Sequence, residues 1–466
     1  MNVRSVTWHP PALGSPQECR PCERRPRGHD ALPDDLTASA RASSSPAVVA
    51  YDGRTSVREM SSTSSYQYLS RLENALKQHD SWRTGECLNL IASENFSSPQ
   101  TRGMLVTDFA NRYTAPDKFY GGTRFMDEVQ ALAEEVARKV YNAKYADVRA
   151  TSGHAADLAI MLSLLERGDK VVSVGVEHGG YPGISHLGLG KLLGLKNTYF
   201  AFDDEAVNID VASTTRMLEL ERPRLIIFGS SFIPFPQPVR EVSSVLDGEA
   251  TCVYDGSHVM GILAGGEFQD PLREGCSLLF GSTHKSLPGP QGGLILGNNE
   301  ETFRQVSSQI HPGIIDNVHW NRVAALAVSL LEMMQFGKTY AQAVVRNSQA
   351  LAKGLASRGV AVRGAVQGYS KSHQVLLECD KSRGELYGKR LEDSNIIIDN
   401  GGRVGTAEAT RMGMGPAEMD QVAELMSYAI LGKKPADFTK KKVKTLVKDF
   451  KTPRYVLKAV ADSGGE

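Results

Sequence analysis

The sequence predicts an α/β protein with a large three-layer domain, in which helices cover a mostly parallel sheet, and a smaller C-terminal α+β domain. From about residue 124, helically spaced apolar residues in EVQALAEEVARKVYNA alternate with short apolar runs such as KVVSVGV, RLIIFGSS and CSLLFGS. Short apolar strands separated by helices are typical of parallel sheets that are buried on both faces. Beyond about residue 335 the helices and strands become short and mixed, which indicates the second domain.

The predicted organisation has five segments. They are residues 1–60 as a disordered N-terminal extension, 61–108 as a helical arm, 109–335 as the large domain, 336–435 as the small domain and 436–466 as a basic tail. The extension is rich in Arg, Pro, Ser and Ala with little apolar periodicity, which is typical of disordered chain. Met60 begins a serine-rich stretch that leads into a helical pattern, so one hypothesis is that residues 1–59 do not belong to the functional protein.

The composition limits the kinds of partner to expect. Lys and Arg together number 53, as do Asp and Glu, and this balance gives no reason to expect a nucleic acid or a membrane surface. No apolar run approaches the ~20 residues that span a bilayer. The six cysteines are scattered, and Cys19 and Cys22 form a single CxxC without a second ligand pair. This usage favours reduced thiols and a cytoplasmic protein over a zinc site.

Polar side chains follow several of the predicted strands at the point where each strand ends. These residues are His178, Ser230, Ser231, Asp255, His258, His284 and Lys285. In open α/β sheets, ligands bind beyond the carboxyl ends of the strands, so the pattern predicts a binding site at this edge.

Lys285 is the most informative of these residues, because a lysine at the mouth of a buried strand is costly to desolvate. A phosphate-binding P-loop is excluded, since THKSLPG lacks the glycines of that motif. The alternative is a nucleophilic amine for Schiff-base chemistry, and pyridoxal phosphate is the cofactor that such a lysine serves most often. Asp255 is placed to meet the pyridine nitrogen, and Ser152 and Gly153 begin a helix whose N–H groups suit a phosphate.

Five motifs then carry a resemblance to one family. LNLIASENFSS, YGGTRFMDEVQALAEEVARKVY, DGSHVMGILAGGEF, GSTHKSLPGPQGGLIL and GRVGTAEATRMGM occur in order between about residues 64 and 431. They closely resemble the serine hydroxymethyltransferase family, which are pyridoxal-phosphate enzymes of the aspartate-aminotransferase fold type (fold type I). The resemblance implies a transferase that uses serine or glycine as substrate and tetrahydrofolate or a related pterin as cosubstrate. It also implies at least a homodimer.

The resemblance assigns roles to residues at the cofactor ring. Lys285 would bond to the cofactor aldehyde, with His284 beside it, and Asp255 would pair with the pyridine nitrogen. His178 would stack on the ring, and His258 would lie near the ring oxygen together with Ser231.

The resemblance also assigns residues to the substrate carboxylate and to the cofactor phosphate. Arg403, assisted by Tyr113, would bind the substrate carboxylate, since its planar fork matches a carboxylate. The phosphate would be held by five residues, three of them reaching over from a second subunit. The pair from the same chain is Ser152 and Gly153, and the three from the partner are Ser93, Tyr120 and Gly313.

The sequence departs from the family on the folate side. The family carries a glutamate two residues after the tyrosine that matches Tyr113, whereas this chain has Ala115, and Asp117 is the nearby carboxylate with a shorter reach. A tyrosine pair becomes Phe119-Tyr120, and the loops after Gly313 and before Arg403 differ from the family pattern.

Three functions therefore remain open. The favoured one is a serine/glycine hydroxymethyltransferase. The second is a pterin-independent aldolase or transaldolase that acts on threonine or another β-hydroxy amino acid. The third, a non-catalytic binding protein on the same fold, is disfavoured because Lys285, Asp255 and Arg403 are all present.

Overall fold

The computed structural model describes residues 65–114, 119–246 and 248–458. The chain divides into two compact units, Met1–Gln67 and Tyr68–Glu466, and residues 65–67 are the described part of the first. The predicted extension 1–60, the Cys19 and Cys22 pair, Ala115 and Asp117 lie outside the described residues. All of the predicted site residues lie in the second unit.

The strands of the described chain, in order, are β1 (Leu88–Asn89), β2 (Tyr145–Asp147), β3 (Lys170–Ser173), β4 (Lys196–Tyr199), β5 (Phe202–Asp203), β6 (Asn208–Ile209), β7 (Leu225–Phe228), β8 (Thr251–Asp255), β9 (Leu278–Ser282), β10 (Gly293–Gly297), β11 (Gln374–Leu376), β12 (Ile396–Ile397) and β13 (Arg403–Gly405). The α-helices are α1 (Ser65–His79), α2 (Pro99–Leu105), α3 (Arg124–Tyr141), α4 (Gly153–Leu164), α5 (Leu189–Leu192), α6 (Val211–Glu221), α7 (Val239–Ser243), α8 (Met260–Ala264), α9 (Pro271–Glu274), α10 (Glu300–Ser308), α11 (Trp320–Ser357), α12 (Lys381–Asp393), α13 (Ala407–Arg411), α14 (Pro416–Ile430) and α15 (Ala436–Val447). Short 3₁₀ or π-helical turns cover Asp80–Thr84, Asp108–Asn111, Val176–His178, Pro182–Ile184, Gln309–Ile314 and Ala365–Gln367.

The main sheet has seven strands in the order β2-β10-β9-β8-β7-β3-β4. Strands β4, β3, β7, β8 and β9 run parallel to their neighbours, while β10 is antiparallel to both β9 and β2. The predicted mostly parallel sheet is therefore confirmed, with an antiparallel edge formed by β10 and β2. Because the five strands from β9 to β4 point the same way, their carboxyl ends lie along one edge.

Helices cover the sheet on both faces, as the continuous apolar runs of its strands predict. Along β7, Ile226 and Phe228 belong to one cluster of buried side chains, whereas Leu225 and Ile227 belong to another. This alternation follows from the two-residue period of a strand. The first cluster includes side chains of α3, α8 and α11, and the second includes side chains of α4 and α10. The predicted three-layer fold is confirmed.

A third cluster of buried side chains forms between short strands and helices of the C-terminal part. Here β11 pairs antiparallel with β13, while β12 pairs in parallel with β1 from the N-terminal side of the chain. Helices α11, α12, α13, α14 and α15 also contribute apolar side chains to this cluster, so this part is α+β as predicted. The predicted boundary between residues 335 and 336 falls inside the continuous helix α11, and it stays a prediction.

None of the helices in the described ranges is both long enough and apolar enough to cross a membrane.

Candidate active site

The carboxyl edge of the sheet brings together the ends of β7, β8 and β9. Strand β8 ends at Asp255, and β9 ends at Ser282, three residues before Lys285. Gly229, which follows β7, lies so close to β8 that a Cβ atom would sit 2.0 Å from the carbonyl oxygen of Asp255. The φ angle of Gly229 is +91°, so the close approach and the left-handed backbone both require glycine.

Lys285 lies half-buried directly after this edge. Burial lowers the pKa of its amine, the negative charge of Asp255 opposes that shift, and the cation of Arg403 adds to it. A lower pKa leaves a larger fraction of the amine unprotonated, and the unprotonated amine is the nucleophilic form. The environment of Lys285 therefore suits the predicted bond to an aldehyde.

Asp255 is 9% exposed, and its Oδ1 accepts a hydrogen bond from the backbone N–H of Ser257 at 2.9 Å. This bond fixes the carboxylate at the end of β8. A buried carboxylate in a fixed position is suited to hold a protonated ring nitrogen, because charge-assisted hydrogen bonds are short and strong.

Ser152 and Gly153 form a cradle at the start of α4. The Ser152 hydroxyl caps the helix by accepting a hydrogen bond from the N–H of Ala155 at 3.0 Å. Gly153 faces the end of β9 so closely that a Cβ atom would lie 2.5 Å from the Ser282 Oγ and 3.1 Å from the Ser257 Oγ. The open N–H groups of this first turn attract an anion such as a phosphate.

His258 carries a buried hydrogen-bond donor that the described chain leaves unpaired. Its Nε2 lies 3.3 Å from the Arg403 Nη1, which donates, so the ring proton is assigned to Nδ1. That Nδ1 is buried without a hydrogen-bond partner among the described residues. Burial, followed by the charges of Lys285 and Arg403, lowers the pKa of His258 well below its usual value. A neutral His258 is therefore available to donate to an oxygen of a ligand.

His373 lies against His258 and completes this wall of the site. The two rings stack with centroids 5.9 Å apart, and the His373 Nε2 lies 2.9 Å from the carbonyl oxygen of Ala92. Burial lowers the pKa of His373 to about 3. Two stacked neutral imidazoles thus support Arg403 without adding positive charge beside it.

Arg403 is held in one orientation by its neighbours. Its Nε donates to Asp399 Oδ2 at 2.8 Å, and its Nη1 donates to the carbonyl oxygen of Ser231 at 2.6 Å. The guanidinium carbon lies 5.2 Å from the centre of the Phe232 ring. Nη1 also donates to the His258 Nε2 at 3.3 Å, so the N–H groups of Nη2, for which the described chain shows no acceptor, remain for an oxygen of a ligand carboxylate.

His284 borders an open cavity of about 670 Å³ beside the edge of the sheet. Burial lowers the pKa of His284 to about 4, with Lys285 as the second cause, and its Nδ1 has no hydrogen-bond partner in the described chain. Ser93 lines the same cavity. The neighbouring Asn95 donates to the carbonyl oxygen of Lys285 at 2.8 Å, which places this segment at the site of its own chain.

His178 is placed differently from the ring-stacking role that its sequence predicts. Its ring stacks on Phe202 with centroids 4.5 Å apart, and its Nδ1 lies 3.3 Å from Asp204 Oδ1. Tyr181 lies three residues further along the same Gly-Gly loop, and the pKa of its hydroxyl responds to carboxylates at this edge of the sheet. Burial raises its pKa, followed by the charges of Asp157 and Asp255. The stacking role of His178 stays a prediction, and Tyr181 is near enough to Asp157 and Asp255 for their charges to act on its hydroxyl.

Three predicted residues lie apart from this buried cluster. Tyr113 and Tyr120 are 43% and 39% exposed, with ring centroids 5.5 Å apart, and they flank the undescribed residues 115–118. Gly313 is exposed within the turn Gln309–Ile314. The predicted contact of Tyr120 and Gly313 with the site of a second subunit stays a prediction, as does the predicted help of Tyr113 to Arg403.

These positions define a class of protein. A lysine just past a parallel strand, a buried aspartate on the neighbouring strand and an anion cradle at a helix start are the arrangement of pyridoxal-phosphate-dependent enzymes. The buried, unpaired Nδ1 atoms of His258 and His284 and the tight cradle at Gly153 fit that cofactor. A solved structure, L-threonine transaldolase from Pseudomonas fluorescens, is similar with a TM-score of 0.79 and 25% identity, covering 86% of this chain and 96% of that one.

The family follows from the sequence comparisons. The serine hydroxymethyltransferase family profile matches residues 69–426. Serine hydroxymethyltransferases from Methanopyrus kandleri and Saccharolobus islandicus are 36% and 37% identical; the matches cover 82% and 84% of this chain and 93% and 96% of the relatives. The chain belongs to the serine hydroxymethyltransferase family, whose members are pyridoxal-phosphate-dependent transferases.

Proposed function

We propose that this protein is a serine/glycine hydroxymethyltransferase, which moves a one-carbon unit between serine and tetrahydrofolate or a related reduced pterin. The observation that carries the proposal is that Lys285 and the buried Asp255 follow from neighbouring strands at one edge of the sheet, where the charges of Asp255 and Arg403 act on the Lys285 amine. The names of the relatives, at 36–38% identity over most of the chain, support the same activity.

The residues of the site would divide the work on pyridoxal phosphate as follows. When bound, the cofactor supplies an electron sink for the carbanion that forms as the Cα–Cβ bond of serine breaks. Asp255 would hold the ring nitrogen, and Ser152 and Gly153 would hold the phosphate. Lys285 would supply the amine for the cofactor aldehyde, and His258 would donate its Nδ1–H to an oxygen at the ring. Burial of these groups excludes water and strengthens each electrostatic contact.

Arg403 would bind the carboxylate of the amino acid. Its Nη2 is open to a ligand, and the hydrogen bonds to Asp399, Ser231 and His258 keep the guanidinium from rotating. A fixed guanidinium orients the substrate before the reaction and lowers the entropy cost of reaching the reactive geometry. Tyr113 would help Arg403 to bind this carboxylate. Its ring is exposed in the described chain, so its hydroxyl is accessible to a ligand.

A second candidate is an aldolase or transaldolase for threonine or another β-hydroxy amino acid. The fold similarity to a threonine transaldolase supports it, as does the loss of the family glutamate at Ala115. Both activities share the breakage of the Cα–Cβ bond, and they differ in the molecule that takes up the aldehyde.

The assembly proposed here is a cytoplasmic homodimer or higher homo-oligomer. Tyr120 and Gly313 are exposed in their own chain. Their exposure supports the prediction that they bind the cofactor phosphate in the site of a second subunit. The large and small domains are proposed with the predicted limits of 109–335 and 336–435. Size-exclusion chromatography with light scattering measures the assembly directly.

The decisive experiment compares substrates on protein reconstituted with pyridoxal phosphate. Glycine formation is followed from serine and from threonine, each with and without tetrahydrofolate. Serine turnover that requires the pterin supports the hydroxymethyltransferase. Pterin-independent cleavage that is faster with threonine than with serine replaces it with the second candidate. Absence of turnover with all four combinations contradicts both.

A further inference from the structure

Asp157 is a buried carboxyl group to which the proposed reaction gives no role. It lies on α4, four residues after Gly153, and residues four apart share one face of a helix. The Gly153 face is turned toward Ser257 and Ser282, which flank the ends of β8 and β9. Asp157 is therefore directed at the same edge of the sheet as Asp255 and Lys285, one helical turn further from the phosphate cradle.

The Asp157 carboxyl has no hydrogen-bonding partner for one of its oxygens. The residue is 2% exposed, and its Oδ1 is buried with no donor within reach among the described residues. An unpaired buried carboxylate is costly, whereas a protonated carboxyl carries an O–H that can donate. The burial of Asp157 thus favours the neutral acid.

Two carboxyl groups and one amine form a single charged cluster here. The groups whose charges act on Asp157 are Asp255, after β8, and Lys285, after β9, and Asp157 in turn acts on Tyr181 in the loop after β3. Burial raises the pKa of Asp157 well above its usual value, Asp255 raises it further, and Lys285 opposes the shift. Two carboxyls in one buried site retain one proton between them, since a second negative charge is repelled.

We propose that Asp157 remains a neutral carboxylic acid beside Asp255 and acts as a positioning residue at the nitrogen end of the cofactor ring. This inference rests on the proposed function. The carboxyl pair then carries one negative charge, which matches the single positive charge of a protonated pyridine nitrogen. The O–H of Asp157 adds a hydrogen-bond donor at this end of the site.

The alternative is an ionised Asp157 that serves as the counter-ion of Lys285. That arrangement holds two negative charges at the ring nitrogen in a buried site. It also loses its partner once the Lys285 amine is bonded to the cofactor aldehyde. The neutral acid avoids both costs.

The test uses Asp157→Asn, which has the same shape and is neutral at every pH, and Asp157→Leu, which cannot donate. Infrared difference spectra of the protein without cofactor measure the carboxylic acid C=O band at neutral pH. Glu134→Gln is the matched control, because Glu134 is a second carboxyl whose pKa is raised by burial, on α3 and away from the site. We expect Asp157→Asn to lose a carboxylic acid band that Glu134→Gln retains.

Protein loaded with pyridoxal phosphate gives the second readout. At neutral pH we expect Asp157→Asn to match the wild type in its visible absorption and to bind the cofactor within about twofold. Asp157→Leu should weaken cofactor binding by about tenfold or more, because the nitrogen end of the site loses a hydrogen-bond donor. As the pH is raised, the wild type should show a spectral change that Asp157→Asn lacks.

Two results would overturn the inference. One is an infrared spectrum in which Asp157→Asn loses a carboxylate band and no acid band. The other is a shifted visible spectrum of Asp157→Asn at neutral pH, as expected if the substitution removes a negative charge. Lys285→Ala separates this from failure of the proposed function. A visible band that survives in Lys285→Ala contradicts the role of the lysine, whereas the infrared result on Asp157 stands without any cofactor.

Discussion

The cofactor edge of the sheet and the segment around Tyr113 and Tyr120 differ in how firmly the chain holds them. At the edge, Asp255, His258 and Arg403 are all at least nine-tenths buried, and hydrogen bonds within the chain fix each one. The two tyrosines are exposed by about two-fifths and flank undescribed residues. The edge also retains the residue types of its family, whereas Ala115 and Phe119 depart from them.

This difference separates the two halves of the proposed reaction. Breaking the Cα–Cβ bond depends on groups that one chain already positions. By the resemblance, passing the one-carbon unit to a pterin would depend on the sequence position of Ala115, between the two tyrosines, where the family carries a glutamate. Variants of the two regions should therefore affect different steps and by different amounts.

Lys285→Ala should have the largest effect. Removal of the amine should abolish the visible absorption of the cofactor–lysine bond and lower turnover at least roughly 10³-fold, with the fold intact by circular dichroism. Absorption spectra and glycine formation measure the two. Retained absorption and turnover would show that the cofactor edge has been misassigned.

Arg403→Ala should come second, acting on substrate binding and not on the cofactor spectrum. Loss of the charge-assisted bonds to the carboxylate should raise KM for serine roughly 10²-fold, equivalent to about 2–4 kcal/mol. Arg358→Ala is a matched control. Arg358 also binds a carboxylate, because its Nη1 and Nη2 donate to the two oxygens of Asp420, but it does so on the surface. An unchanged KM in Arg403→Ala would remove this residue from carboxylate binding.

The buried half should also give the protein its acid sensitivity. His373 is fully buried, and its pKa falls from 6.5 to about 3, so the folded protein keeps the ring neutral. Below pH about 6.5 the unfolded chain takes up a proton that the folded chain does not, which lowers the free energy of unfolding by up to about 1.4 kcal/mol per pH unit toward pH 3. Above pH 6.5 this contribution is fully present.

Urea denaturation at a series of pH values measures this dependence. His373→Gln should flatten the slope between about pH 6.5 and 3, whereas His79→Gln on the exposed helix α1 should leave it unchanged. Equal slopes in the wild type and His373→Gln would assign the acid sensitivity to other groups.

Gly153→Ala should weaken cofactor binding by a smaller amount. A Cβ atom there would lie 2.5 Å from the Ser282 Oγ and 3.0 Å from its backbone nitrogen, so the cradle must widen at a cost of about 1–3 kcal/mol. Gly103→Ala on α2 is the control, since nothing lies within 4 Å of its Cβ position. Equilibrium dialysis with pyridoxal phosphate compares the two variants, and equal affinities would contradict a tight cradle.

Tyr113→Phe and Tyr120→Phe should have the smallest effects. Each removes one hydroxyl from an exposed ring, so turnover should fall only about two- to tenfold, the value of one neutral hydrogen bond. Tyr113→Phe should raise KM for the amino acid, and Tyr120→Phe should weaken the binding of pyridoxal phosphate. Unchanged values in both variants would contradict the roles predicted for these two residues.

Much of the fold and part of the site follow from local patterns in the sequence. The alternation of apolar runs with helical spacing predicts the parallel sheet, and the polar residues at strand ends predict its active edge. Lys285, Asp255 and Ser152 can be predicted as site residues because each lies at or near the end of a strand or the start of a helix. Their positions depend on the chain nearby and need no distant contact.

The remaining site residues depend on orientation, which sequence spacing does not give. His178 and Tyr181 lie on one loop, and Gly179, with φ +88°, turns the chain between them so that they face different neighbours. Asp157 can be placed at the site only from two facts together. It lies four residues after Gly153 on α4, and the structure shows that Gly153 faces the ends of β8 and β9. The Asp399 partner of Arg403 was missed because it looks like an ordinary turn residue before two glycines.

Helix α11 sets the distance between the two reacting ends of the site. Its 38 residues extend over about 57 Å. Tyr340 on this helix donates to the carbonyl oxygen of Ser286, next to Lys285, and one turn later the carbonyl oxygen of Val344 accepts from Thr406, three residues after Arg403.

One turn of α11, from Tyr340 to Val344, thus contacts both the segment of Lys285 and the segment of Arg403 and spaces them apart. One residue inserted between Tyr340 and Val344 would rotate the second contact by about 100° and shift it by about 1.5 Å. Such a change would move the Lys285 amine and the Arg403 guanidinium apart, although no site residue would be substituted. The length of this turn is therefore as much a condition for the reaction as the side chains themselves.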